Sequence, residues 1–208
     1  MLIKWIVCQV PEEKRADFSR AQESWKDLAG ADGFYWQRGG WNRHRPSEAC
    51  ILSCWRDQHA YDQFMASLHD TIFQANHQQQ TYESIAVTLA DIIMEIPDKG
   101  SITRTLKGKW LRAADCMIAP GQETHFLNVQ QTVWNPALAQ SAGMFGGMVA
   151  KAIHPPVRYL IFSFWEEEAQ RTYTKKVAQL RQQAETDRDT ITITGYLVEE
   201  NERWLVTG

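Results

Sequence analysis

His69 is followed by Asp70, and no other pair in this sequence is better suited to moving a proton. An imidazole titrates near neutral pH, so it can accept a proton from a phenol or an enol, or serve as an axial ligand to a haem iron. The plainer alternative is a partly exposed helix histidine, hydrogen-bonded to a neighbour. Trp5, Trp25, Trp36, Trp41 and Trp55, five of the nine tryptophans, crowd into the first part of the chain. Such rings either fill a core or line a cleft for a flat apolar ligand, and Phe64 falls on the same apolar helix stripe as the region before His69. Arg38, next to Gly39-Gly40, is an anionic anchor if a ligand approaches the backbone there, or a solvated arginine beside a loop. Cys8 and Cys54 lie in apolar strand sequence, where burial raises a thiol pKa and favours inertness.

Other chemistries find little support. The remaining histidines (His44, His59, His77, His125 and His154) are scattered, with no paired metal-ligand spacing, so no metal site is expected. No glycine-rich phosphate loop precedes a helix, and no Ser-His-Asp order can be argued. A net charge of −3 over 208 residues gives no basic face for nucleic acid. No run approaches the roughly 18 apolar residues of a membrane span. Nothing at the N-terminus suggests export, so the four cysteines are expected to be buried reduced thiols of a cytoplasmic protein.

The elements that must position these residues repeat. ACILSCW (Ala49 to Trp55) and YLIFSFW (Tyr159 to Trp165) are both apolar runs with serine third from the end and tryptophan last. Around the first lie a strand from Leu2 to Val10 and a helix opened by Pro11 that carries Phe18, Ala21, Trp25 and Leu28. A strand from Gly33 to Gln37 ending at Gly39-Gly40 follows. After Trp55 come a helix carrying Ala60, Tyr61, Phe64, Leu68 and Ile72, and a strand from Ser84 to Ile96. Around the second lie a strand over Leu111 to Ile118 and a helix closed by Pro136. Strands follow from Gly143 to Val149 and Tyr159 to Trp165, then a helix with Ala169, Tyr173, Val177 and Leu180. A strand from Thr190 to Glu199 and an edge near Arg203 to Val206 finish it. The offset between matched elements is about 108 to 110 residues.

Each half therefore spells β-α-β-β-α-β, a ferredoxin-like unit that covers one sheet face with helices and leaves the other bare. Because both faces of Ala49 to Trp55 are apolar, the bare faces are expected to pack on each other within one chain. The expected fold class is α+β, tandem ferredoxin-like repeats packed sheet to sheet. The expected domains are 1–97 and 110–208 with a polar linker at 98–109, and the expected state is a monomer.

LIKWIVC, FSRAQESW, GFYWQRGGW, ACILSCW, HAYDQFM, LHD and TYESIAV resemble the YdbC-like monooxygenase-like family of the dimeric α/β-barrel superfamily, over Leu2 to about Ile96. The second half is similar only in fold pattern. The resemblance implies a ligand cleft between helices and sheet and an oxidative activity. Haem-degrading members of the superfamily use an asparagine in the first strand, a tryptophan on the second helix and a histidine beyond it. The matching positions here hold Cys8 or Gln9, Phe64 and Gln74. The expected function is thus a monooxygenase-like protein, without cofactor or with haem, acting on or binding a small aromatic molecule. The alternative is a non-catalytic small-molecule-binding or stress-related barrel. The site is expected in the first half, with His69 catalytic and Trp5, Trp36, Arg38, Trp55 and Phe64 on the ligand, because the second half has no histidine near Gln179 and GMFGGM where the first has Trp36.

Overall fold

A computed structural model describes residues 1–97, 100, 107–184 and 190–208, so most of the expected linker lies outside the described residues. The chain divides into two compact units: unit 1 holds Met1–Asp91 and Val198–Gly208, and unit 2 holds Ile92–Leu197.

Unit 1 begins with β1 (Leu2–Gln9), α1 (Arg15–Glu23) and a 3-10 segment (Ser24–Gly30). Phe18, Ala21, Trp25 and Leu28 are all buried, so the expected apolar line holds although its last turns tighten to 3-10 geometry. Next come β2 (Phe34–Asn42), β3 (Glu48–Trp55), α2 (Gln58–Ser67) and α3 (His69–Asn76), and then β4 starts at Ser84. The Asp57 side chain caps α2 by accepting from the Ala60 N–H at 2.8 Å. The single helix expected after Trp55 is two, broken at Leu68, where the backbone departs from helical values (φ −108°, ψ −28°). β3 pairs antiparallel with both β1 and β2, and β4 pairs with β1.

β2 does not stop at Gly39-Gly40 as expected. It runs on to Asn42 because its edge receives the returning C-terminal segment: Gly40 faces Glu200, Trp41 faces Glu199, and Trp36 faces Thr207. A Cβ at residue 40 would lie 1.9 Å from the Glu199 carbonyl oxygen, so glycine is what lets the two backbones meet. Trp204 anchors the same segment, with ring centroids 5.6 Å from both Phe18 and Trp41. The compact units accordingly differ from the expected boundaries 1–97 and 110–208, since Val198–Gly208 packs with the first half and Ile92–Ile96 counts with the second.

Unit 2 contains β5 (Trp110–Ile118), β6 (Met144–Ala152), β7 (Arg158–Trp165), most of β8 (Ile191–Glu200) and a long helix, Glu167–Gln183. Pro136 does not close the preceding helix. It sits in a further helical segment, Asn135–Ala139, that continues directly from a π turn at Gln130–Trp134, the kind of local widening found where a proline interrupts the helical ladder. β7 pairs with β5 and β6 in the pattern that β3 shows with β1 and β2, each with a bulge just inside the first pair of the hairpin.

The repeated motif has a local meaning. Trp55 Nε1 donates to Ser53 Oγ at 3.1 Å, and Trp165 Nε1 donates to Ser163 Oγ at 2.8 Å. The serine satisfies an indole N–H that would otherwise be buried unpaired. Before each hairpin a glycine in the left-handed region, Gly33 or Gly143, takes a conformation and a closeness to Ala60 or Ala169 that a side chain would not allow.

Gly40→Ala is expected to destabilise the protein by about 1–3 kcal/mol, the range for forcing extra atoms into a packed site. Gly30→Ala, where a Cβ would meet nothing within 4 Å, is the control and should change stability by under about 1 kcal/mol. Urea denaturation of the two variants checks this, and equal midpoints would refute the close-approach role of Gly40.

Candidate functional site

A cavity of about 70 Å³ lies between the helices and the sheet of unit 1. Strand alternation sets its floor. Lys4, Ile6 and Cys8 from β1, Ile51, Ser53 and Trp55 from β3, and Gln37 from β2 all point to the helix side. The roof comes from Phe18, Trp25, Phe64, His69 and Phe73.

His69 opens α3, just past the break at Leu68. Its ring is stacked on Phe73 (centroids 5.6 Å, planes 18° apart), meets Phe64 edge-on at 5.7 Å and lies 5.7 Å from Trp25. Its Nδ1 lies 2.8 Å from Asp70 Oδ1, and its side chain keeps 18% exposure. With Nδ1–H donated to the carboxylate, Nε2 is the nitrogen left to accept a proton. A buried amide chain holds the roof in place: Trp25 Nε1 donates to Gln78 Oε1 at 2.7 Å, and Gln78 Nε2 donates to Gln22 Oε1 at 2.9 Å.

Of the residues singled out from sequence, Trp55, Phe64 and His69 line this cavity. Trp5, Trp36 and Arg38 do not. Trp5 faces Leu52, Trp36 faces Cys54 and Arg38 faces Leu52 across the ladder, which puts all three on the opposite sheet face. The cause in β2 is the bulge between Phe34 and Trp36, which inserts Tyr35 as an extra residue and reverses the facing of the residues beyond it. Phe34 stays on the helix side, 5.0 Å from Trp55. Arg38 is therefore no ligand anchor. It donates from Nε to Glu200 Oε2 at 2.8 Å in an ion pair that is almost fully buried, and burial keeps the Glu200 carboxyl above its ordinary range against the pull of the guanidinium.

Sequence reasoning passed over Lys4 and Gln37. Lys4 is half-buried, its ammonium 5.3 Å from the Tyr61 ring centroid. Burial lowers its pKa from 10.5 to about 8. A charged residue in the middle of an otherwise apolar strand was the available signal. Cys8 also faces the cavity, but burial pushes its thiol up to about 12, so it stays protonated and unreactive at ordinary pH. Cys50, Cys54 and Cys116 are also buried and form no disulfide.

Among the described residues no group of three or more His, Cys, Asp or Glu side chains could hold a metal ion, and no helix is long and apolar enough to cross a membrane.

Residues 2–90 match the model of a domain of unknown function, DUF4937. The uncharacterized protein YdbC of Bacillus subtilis (strain 168) is 40% identical over 91 residues, which span 43% of this chain and 76% of YdbC. The chain belongs to this family. Among solved structures, a "putative monooxygenase" from Lactobacillus acidophilus NCFM is similar with a TM-score of 0.72 at 14% identity, covering 99% of this chain and 95% of its own. A second "putative monooxygenase", from Fusobacterium nucleatum, gives 0.76 at 10% identity over 99% and 94%. An anthrone oxidase-like protein gives 0.68 at 14% identity over 95% and 90%. At these identities the likeness shows the fold, an α+β fold of the dimeric α/β-barrel type within one chain, as expected.

A haem does not suit the cavity. At about 70 Å³ it is well below the roughly 300–1,000 Å³ of pockets that take drug-sized ligands, and a porphyrin is at the large end of those. The His69 ring is also packed against aromatics, so the haem that the resemblance allowed has no seat in this cavity.

The low pKa of Lys4 makes a stability prediction. Between about 8 and 10.5 the unfolded chain holds the Lys4 proton and the folded protein does not, so this group's contribution to stability rises with pH across that window. Below pH 8 the full penalty of roughly 3 kcal/mol applies. Lys4→Met is expected to be more stable than the parent at pH 7, with the gap closing towards pH 10.5. Paired denaturation curves at the two pH values test it, and a pH-independent gap would show that the ammonium is well solvated.

Proposed function

We propose that the unit 1 cavity binds a small aromatic molecule with an ionisable hydroxyl, a phenol or enol, and that the protein oxidises it as a monooxygenase without haem. The observation that carries this reading is the aromatic lining of the cavity: Trp25, Trp55, Phe64 and Phe73 line it together with His69, an imidazole whose Nδ1 lies against Asp70. His69 Nε2 takes the hydroxyl proton, leaving an electron-rich phenolate or enolate for O2 to attack. When an activated CH2 becomes C=O, or a phenol becomes a quinone, the substrate itself supplies the electrons, one oxygen atom of O2 enters it and the other leaves as water. The aromatic walls keep bulk water from the reacting carbon.

The monooxygenase and anthrone oxidase-like names of the structural neighbours support the reaction class, since those proteins share the fold. Trp5, Trp36 and Arg38 have no part in this proposal, as they lie on the other sheet face. The alternative, a non-catalytic binding protein, uses the same cavity and differs only in turnover.

His69→Ala is expected to lower oxygen uptake with a responsive single-ring phenol by roughly a hundredfold or more, the usual size of a lost general base. Stability should stay within about 1 kcal/mol, since the side chain is partly exposed. Titration with haem should give no Soret band. If the variant loses stability sharply while ligand response is unchanged, His69 is structural and the enzymatic reading falls. Ligand binding without oxygen uptake in the parent protein would leave the binding protein as the answer.

A further inference from the structure

The same cross-strand row occurs twice, once closed and once open. In unit 2, Arg112, Ser163 and Gly147 lie side by side on β5, β7 and β6. There the cation is engaged: Arg112 donates to Thr174 Oγ1 at 2.7 Å and to Gln170 Oε1 at 3.3 Å, with its guanidinium 5.5 Å from the Tyr173 ring. In unit 1 the row is Lys4, Ser53 and Gln37 on β1, β3 and β2, and all three line the cavity. Gln37 is 5% exposed and its Nε2 is buried with no hydrogen-bond partner. Among the described residues the only charge-charge influence on Lys4 comes from Cys8, which is protonated, so no carboxylate neutralises the ammonium. Ser53 Oγ accepts from Trp55 Nε1, and its own O–H is a third donor in the row.

An unneutralised ammonium and an unpaired buried amide N–H are costly, and both costs vanish when an acceptor with negative charge sits over them. The geometry points to the Lys4–Ser53–Gln37 row as an oxyanion-binding site, so that the aromatic ligand of the cavity binds through an ionised oxygen, as its phenolate or enolate. This rests on the reading that the cavity takes an aromatic molecule. It adds where the oxygen lies, on the sheet floor, and that the oxygen is held there in its ionised form. The row offers an ammonium, an amide N–H and a hydroxyl to the oxygen, so it holds the anion, and a ligand that arrives neutral gives its proton to His69 in the roof.

The test compares 4-nitrophenol, whose ionised form is yellow, with nitrobenzene, which has the ring but no hydroxyl. Both are titrated into the full chain, into Lys4→Met and into Gln37→Leu at pH 7, where the Lys4 ammonium is charged. The expected result is that 4-nitrophenol binds the parent in its yellow form. Its affinity should fall about ten- to a hundredfold in Lys4→Met and several-fold in Gln37→Leu, the size of a lost charge-assisted and a lost neutral hydrogen bond. Nitrobenzene affinity should stay within about twofold throughout, which also reports that the variants keep the cavity. If the two probes lose affinity equally, or 4-nitrophenol binds colourless, the oxyanion site is refuted while the aromatic cavity stands. If nitrobenzene and 4-nitrophenol both fail to bind the parent chain, the aromatic reading itself is refuted, and this inference with it.

Discussion

Everything at the unit 1 site depends on the register of β1 and β2 on β3. With period-two alternation, fixing Lys4 and Gln37 opposite Ser53 decides at once which side chains meet the helices and which turn away. A slip of one residue in either partner would exchange the two sets completely. In β2 that slip is built in, as the bulge at Tyr35, and the C-terminal residues Val206 and Thr207 pair with Gln37 and Trp36 directly after it. The bulge places Gln37 over the cavity and sends Trp36 and Arg38 to the far face.

The two cations of the unit 1 sheet, Arg38 buried and Lys4 half-buried, are treated in opposite ways. Arg38 is matched on the far face by Glu200, and a buried pair of this kind costs several kcal/mol if one partner is removed. Lys4 has no such match and accepts a depressed pKa instead. A side chain serving only the fold would gain by being apolar at that position, which is why an uncompensated lysine in a cavity points to a ligand. Unit 2 shows the hydrogen-bonded version of the same position, where Arg112 donates to Gln170 and Thr174 and the core beside the sheet holds Trp165, Tyr173 and Phe126.

His69 owes its place to the helix break at Leu68. In one continuous helix the histidine would stay on the edge of the apolar stripe. By starting a second helix there, the chain sets the ring among Trp25, Phe64 and Phe73 with Asp70 beside it. The Gln22–Gln78–Trp25 chain then ties the roof together with buried hydrogen bonds, which are directional where apolar packing alone is not.

The sequence by itself determined the fold class and nearly every element, because hydrophobic period and chain punctuation act locally. It pointed to Trp55, Phe64 and His69, whose facing comes from helix spacing and from the end of a strand. It could not assign Trp5, Trp36 or Arg38 to a face, since both faces of the unit 1 sheet are apolar and alternation alone carries no sign. Nor could it see that the last residues return to β2, a contact between positions more than 150 apart that depends on the absence of a side chain at Gly40. Only the tertiary structure decided these points. A single bulged residue reverses the facing of a strand at almost no cost in local sequence, so the choice lies in the pairing partners and not in the strand.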